Sequence, residues 1–376
     1  MKLYRIIFVV LMILGLVSTD YAQQKKLRIF VVSSYHREYL WEQDLNKGLC
    51  AAMLDFKFLD NKEQTEEYTK NDFVETDKTV LKKEWMDSKR KSSKQQQEQS
   101  AIRILKEIDQ FKPDLIILGD DNASNYIGTQ YIDSDIPVVF WGIDGIPLKY
   151  GLIDSLDHPG HNVTGVYQTG YPAETIRYFM KLVPNLKTFA ILSDGSETGK
   201  AKSKGIIKVY NEGKIPLRLI ETVTTNSLTE WQAAALRLQD KVDAFFVVNH
   251  NTLKDKKGDP ADPLQVAAWY LKNIKKPECT TEKQFVEEGF LFTVDDSGFK
   301  QAYEAVRMAH IILHEKKKPA DIPVMVPTRG AVMVNRERAQ MLRINLSDKN
   351  FIEEYVDKIL SLEKYPQNKR HKNAEL

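Results

Sequence analysis

The chain has 376 residues, of which 28% are charged, and a formal net charge of +2. That length can bury the cores of two ordinary domains, and so even a charge balance excludes the strongly basic surface that a nucleic-acid partner requires. Two cysteines, Cys50 and Cys279, are too few for a disulfide framework. Whether they pair or remain two buried thiols stays open at this level, because pairing depends on their separation in space.

In chain order, Lys2 and Arg5 precede an apolar run over 6–17, and small and polar residues lead to Tyr21-Ala22. This is the layout of a secretory signal peptide over 1–22. The run falls short of the about 20 apolar residues that span a bilayer. The mature protein is therefore expected to be exported, soluble and periplasmic.

Residues 27–33 form a short apolar run, the pattern of a strand buried on both faces. A helical pattern follows over 41–54. Residues 55–78 are charged and irregular and read as a surface insertion. A strand is expected at 80–86, then a helix over 95–111 in which Ile102, Leu105 and Ile108 recur at helical spacing. Pro113 stops that helix. Strands follow at 114–118 and 136–141, with a short helix between them.

The segment His158-Pro159-Gly160-His161-Asn162-Val163-Thr164-Gly165-Val166 runs from a Pro-Gly turn into β-branched residues. It reads as the point where the chain leaves one α/β lobe for another. Strand–helix order then restarts, with helices at 175–182, 199–211, 228–239, 264–274 and 299–314. Strands are expected between them at 188–192, 217–223, 244–248 and 289–294, and closing strands at 324–326 and 331–334. The expected fold class is α/β, with two doubly wound parallel-sheet lobes. The end of the chain, 364–376, reads as a solvated basic tail.

In open parallel sheets, ligands bind beyond the carboxyl ends of the strands. That rule nominates Ser33, Ser34 and Tyr35 after the first strand, Asp120, Asp121 and Asn122 after a later one, and Trp141 near Asp144. In the second half it nominates Asp194, Ser196, Asn249 and Asp295, with Tyr167 and Gln168 just past the crossover. Hydroxyls give directional hydrogen bonds, and aromatic rings cover apolar or cationic ligand surface. A plainer reading stands beside each group: Trp141 as core, the Asp120/Asp121 pair and Ser196 as helix caps.

Chemical catalysis is not expected. Adjacent acids such as Asp120/Asp121 or Asp295/Asp296 seldom point at one atom. His310 and His314 sit four apart on a helix but lack a third ligand, so they read as a helix face and not as a metal site. No phosphate-cradling glycine motif or nucleophile elbow is present, and no cofactor is expected.

Five segments in order resemble one branch of the ABC-transporter substrate-binding family with a type I periplasmic-binding-protein fold. The stretch Ser34-Tyr35-His36 through Tyr39-Leu40-Trp41 is similar to its "NSYH…Y.W" opening, and Trp85-Met86-Asp87-Ser88-Lys89-Arg90 to its "YMDTKR". Pro137-Val138-Val139-Phe140 with Gly142 resembles "PVVF.G", the segment from His158 to Val166 "PGGNVTGV", and Lys318-Pro319-Ala320-Asp321-Ile322-Pro323-Val324 "KPADIPV". His161 stands where the family has Gly, and 55–78 has no counterpart.

The resemblance implies two lobes joined by hinge strands, with crossings near 144–164, 277–289 and 321–326. The lobes would be 23–145 with 278–322, and 146–277 with 323–363. It also implies a monomer that captures a small polar ligand, such as an amino acid, for an ABC permease. A stand-alone sensor facing a membrane receptor is the first alternative, and a hydrolase on a similar scaffold the second.

Overall fold

The computed structural model describes residues 25–144 and 146–366. The signal-peptide reading, and the tail beyond residue 366, lie outside the described residues. The first lobe opens with β1 (Leu27–Ser33), buried continuously from Ile29 because parallel neighbours flank it and helices cover both of its faces. The chain continues through α1 (Leu40–Asp55), α2 (Lys62–Asn71), β2 (Phe73–Glu75), β3 (Thr79–Trp85), α3 (Lys94–Phe111), β4 (Leu115–Gly119), α4 (Asp120–Tyr126), β5 (Val138–Asp144) and β6 (Val163–Gln168). The sheet order is β2-β3-β1-β4-β5-β6, parallel except for the β2–β3 pair.

The second lobe holds α5 (Pro172–Leu182), β7 (Thr188–Ser193), α6 (Glu197–Asn211), β8 (Arg218–Thr224), α7 (Leu228–Gln239), β9 (Ala244–Asn249), α8 (Pro263–Asn273), β10 (Glu278–Thr280), α9 (Lys283–Glu288) and β11 (Phe292–Val294). Helix α10 (Gly298–His314) returns to the first lobe. The second lobe is completed by β12 (Val332–Asn335), α11 (Arg336–Met341), β13 (Glu354–Val356) and α12 (Leu360–Lys364). Its sheet order is β13-β12-β11-β10-β9-β7-β8, with β12 antiparallel to β11 and all other pairs parallel. Each sheet carries an apolar layer on either face, so each lobe has its own core.

Strand pairing moves the lobe boundaries away from those expected. Val163–Gln168 is the edge strand of the first sheet, paired with β5, so the chain first crosses after Gln168. Strands β10 and β11 belong to the second sheet, so the second crossing falls between Val294 and Gly298. The expected strand at 324–326 shrinks to a single bridge between Val166 and Met325, where the chain crosses a third time.

The 55–78 segment is also ordered, against expectation. Asn61 caps α2 by accepting from the Gln64 N–H, and Tyr68 and Val74 are buried against the first-lobe core. Helix α3 starts at a capping box between Ser93 and Gln96. Its buried face is Ala101, Ile104, Ile108 and Phe111; Ile102 is 56% exposed. The steps of three and four keep the 101-104-108-111 row on one face, whereas repeated steps of three drift off it. Lys364, expected in the tail, ends α12 and pairs with Asp262 at 2.6 Å. Cys50 on α1 and Cys279 on β10 are free, buried thiols in different lobes.

Helix α10 packs along α1 through Ala302, Ala305 and Ala309, and Gly48 allows the closest approach. A Cβ at Gly48 would stand 2.8 Å from the Cα of Phe299 and overlap its carbonyl. Backbone cannot move aside as a flexible side chain would. Gly48→Ala is therefore expected to destabilise by about 1–3 kcal/mol, measurable as a lowered urea midpoint with unchanged slope.

Candidate functional site

The loops after β1 meet those after β7, β9 and β10, and so the cleft between the lobes is walled by both. Tyr35 Oη lies 3.3 Å from Thr198 Oγ1. Tyr39 Oη accepts from Asn251 Nδ2 at 2.8 Å and from Gln284 Nε2 at 3.0 Å. The Tyr35 and Tyr39 rings meet edge to face, with centroids 5.1 Å apart. Trp41 Nε1 donates to Asp120 Oδ1 at 3.1 Å. The Lys89 ammonium stands 4.3 Å from the Tyr35 ring centroid and 5.4 Å from that of Tyr39.

Beneath this aromatic wall is an ionic floor. Lys202 reaches from α6 to Glu282 and to Asp144 Oδ1 at 3.6 Å, with its ammonium 5.8 Å from the Trp41 ring centroid. Gln168 Nε2 donates to Asp144 Oδ1 at 2.6 Å. Gln301 Nε2 donates to Gln168 Oε1 at 3.1 Å and to the Asp296 carbonyl at 2.9 Å. Burial pushes the Asp144 carboxyl up to about 7, although the Lys202 ammonium pulls it down. Burial raises Asp120 well above the usual carboxylate range, with the Glu42 charge adding to it, and raises Asp296 against the pull of Lys202.

Two cavities open from the cleft and share Lys89. One, of about 350 Å³, is lined by Tyr35, Lys89, Asn122, Tyr150, Ser196 and Thr198. The other, of about 550 Å³, is lined by His36, Tyr39, Lys89, Asn251 and Pro263.

The family model of ABC transporter substrate-binding proteins matches residues 76–354. The chain belongs to this family. A tyrosine-binding protein of Clostridioides difficile (strain R20291) is 24% identical over 208 residues, 55% of this chain and 57% of that protein; the match thus spans little more than half of that relative. A domain from Streptococcus pneumonia solved in complex with L-Trp superposes with a TM-score of 0.66 at 21% identity, covering 88% of this chain and 100% of that one. A ligand-free, open substrate-binding protein with adhesive properties from Clostridium difficile gives 0.64 at 19% identity, covering 88% and 99%. The fold of this substrate-binding protein is the two-lobe, type I periplasmic-binding-protein arrangement. Among the described residues no helix is long and apolar enough to cross a membrane, and no group of His, Cys, Asp and Glu side chains suits a metal ion.

The nominated residues of this substrate-binding protein divide by what they touch. Tyr35, Asn122 and Ser196 line the smaller cavity, and Gln168 joins the floor. Asn122 Nδ2 also donates to Ser88 Oγ at 2.9 Å. Others hold the loops in place. Ser34 Oγ donates to the Gly119 carbonyl at 2.5 Å and accepts from Ala123 N at 2.8 Å. Asp121 accepts from Tyr150 Oη at 2.7 Å and pairs with Lys149 at 2.6 Å. Asp194 accepts from Ser196 N at 3.1 Å and Thr252 N at 2.9 Å. Asn249 Oδ1 accepts from His250 N at 3.0 Å.

Four nominations point elsewhere. Trp141 is 1% exposed and packs in the core with its ring on Gly119, because the pleat of β5 turns it into the sheet's covered face. Ser33 is buried beside Glu42. The Tyr167 ring packs on the layer that holds Ile143 and Leu152. Asp295 accepts from Lys283 N at 2.8 Å and faces a separate pocket with Asp44 and Arg329; its neighbour Asp296 is the one turned toward Lys202.

Sequence reading missed Lys89, Thr198, Lys202, Glu282 and Gln284. Lys89 follows β3, where the carboxyl-end rule applies, and Gln284 follows β10, whose three residues are too few to show a strand pattern. Lys202 lies inside a helix, where no local pattern marks it.

Proposed function

We propose that this substrate-binding protein captures an amino acid, or a similar small polar solute, between its lobes outside the cytoplasm and delivers it unchanged to an ABC permease. The observation that carries this reading is the largely buried cluster to which both lobes contribute: Tyr35, Tyr39, Trp41 and Lys89 from one, Thr198, Lys202 and Asn251 from the other. A solute touching both walls binds the closed form better than the open form, and so drives closure. Aromatic rings suit an apolar side chain, while buried charges and amides suit its charged end. The tyrosine-binding relative and the L-Trp complex support an aromatic amino acid as the first solute to try. A periplasmic location fits the export leader read at 1–22.

Thermal unfolding with each L-amino acid, and with sugars and nucleosides, tests the proposal. A true solute at a hundred times its Kd is expected to stabilise by about 2.7 kcal/mol. If no amino acid raises the melting temperature, the proposed solute class is wrong.

A further inference from the structure

Charge matching across the cleft leaves one cation over. Asp121 has Lys149 and Tyr150. Asp144 and Glu282 share Lys202. Asp194 accepts backbone N–H groups from Ser196 and Thr252, and Asp120 the indole N–H of Trp41. Lys89 differs from all of these. Its residue is 6% exposed, and among the described residues its ammonium has no hydrogen-bond acceptor and no carboxylate within ion-pair distance; only the faces of Tyr35 and Tyr39 lie against it. Ring faces stabilise a cation without accepting its N–H groups, and those donors stay open to the cavities that Lys89 borders.

The position of this cation is informative. It borders both cavities of the cleft. In the smaller one it shares the lining with Ser196 and Thr198, the cap and first turn of α6. A fifteen-residue helix presents its positive end there. Burial lowers the affinity of Lys89 for its proton, while the charges of Asp194, Asp120 and Asp144 act to keep it. None of those acids touches it.

Building on the importer reading above, we propose that Lys89 receives the carboxylate of the captured solute, with the opening turn of α6 facing the same anion from the second lobe. Recognition is then anchored by the acid end of the solute. Asp144 and Glu282 already share Lys202, and burial favours the neutral forms of Asp120 and Asp296, so the ammonium of an amino acid contributes less than its carboxylate. Lys89 is a specificity-determining residue, and its anion is what ties the Tyr35 wall to α6 on closure.

Calorimetric titration with three probes tests this: L-tryptophan, indole-3-propionate, which lacks the ammonium, and tryptamine, which lacks the carboxylate. Wild-type protein is expected to bind indole-3-propionate at least tenfold more tightly than tryptamine. Lys89→Met keeps the hydrocarbon stem on the two rings and removes the charge. It is expected to weaken the two carboxylates by about 10- to 100-fold and to leave tryptamine unchanged. A residue that merely props the rings would weaken all three alike. Tryptamine binding as well as indole-3-propionate, or Lys89→Met binding the acids normally, overturns the assignment. Should the variant not fold, the wild-type ranking decides alone. A sugar or nucleoside bound in place of all three probes overturns the carboxylate anchor but leaves the importer reading standing, whereas no solute bound at all brings down the importer reading itself.

Discussion

At pH 8, where Asp144 is ionised, Lys202→Met is expected to lose the closed form and to weaken solute binding by about 100-fold. Lys202 comes from the second lobe and Asp144 from the first, so their contact exists only when the lobes are together. Both side chains are nearly inaccessible, as is Glu282. Removing one partner of a buried ion pair costs about 3–5 kcal/mol, because the remaining charge stays desolvated. Here the protein has an escape: opening the cleft returns Asp144 to water without unfolding either lobe. The cost therefore falls on closure, and about 3 kcal/mol corresponds to about a hundredfold in affinity. Small-angle scattering is expected to give a larger radius of gyration for the variant, and calorimetry a weaker Kd. Unchanged scattering and unchanged affinity would show that the pair is idle.

The pH dependence of the same variant follows from the Asp144 carboxyl. Its closed-state value of about 7 stands above the ordinary aspartate value of about 3.9. A raised carboxyl binds its proton more tightly in the closed form, so its stabilising contribution is complete below the ordinary value and is lost as pH rises through about 7. Asp121 and Asp296 press it upward, while Lys202 and Lys149 pull it downward. Without Lys202 the carboxyl rises further. The gap between variant and wild type is therefore expected to be small at pH 5 and larger at pH 8. Asp295, also raised to about 7, contributes the same slope to both proteins and cancels. A gap independent of pH would rule out Asp144 as the group left exposed.

Arg338→Met is expected to produce the largest loss of folding stability, about 3–5 kcal/mol. Arg338 is fully buried and donates to both oxygens of Glu278 at 2.9 Å, and to the carbonyls of Leu271 at 3.3 Å and Ile274 at 3.1 Å. It ties α11 to β10 and to the end of α8. The substitution leaves a carboxylate and several carbonyls without donors in the core of the second lobe. For a lobe of this size the melting temperature should fall by about 10 °C. Adding Glu278→Gln removes the orphaned charge and is expected to restore part of the loss, although the Leu291 N–H that Glu278 accepts must then use the amide oxygen. A single substitution costing under about 1 kcal/mol, or a double no better than the single, would contradict this account.

The strands that were legible in the sequence share one property: their environment is the same on both faces. The runs that became β1, β4, β5 and β9 are apolar over their central residues because helices cover both faces of each sheet, and no partner needs to be known for that pattern to appear. Helix α7 falls at 228–239 as read, and the loops beyond the strands' carboxyl ends do supply Tyr35, Asn122 and Ser196 to the cleft. Two α/β lobes and a ligand-binding role were thus determined by the sequence itself. Tertiary structure alone decided which sheet each strand joins. Val163–Gln168 carries the same β-branched pattern whether it starts a second lobe or edges the first, because apolar alternation names a face and not a neighbour. It also decided between Trp41 and Trp141, both buried in the same core: the indole N–H of Trp41 reaches Asp120, while that of Trp141 meets no acceptor. Lys202 and Glu282 are 80 residues apart, and neither stands out from the many lysines and glutamates around it. Such charges gain meaning only when folding removes water from between them, since the strength of an ion pair depends on its surroundings and not on the residues that make it.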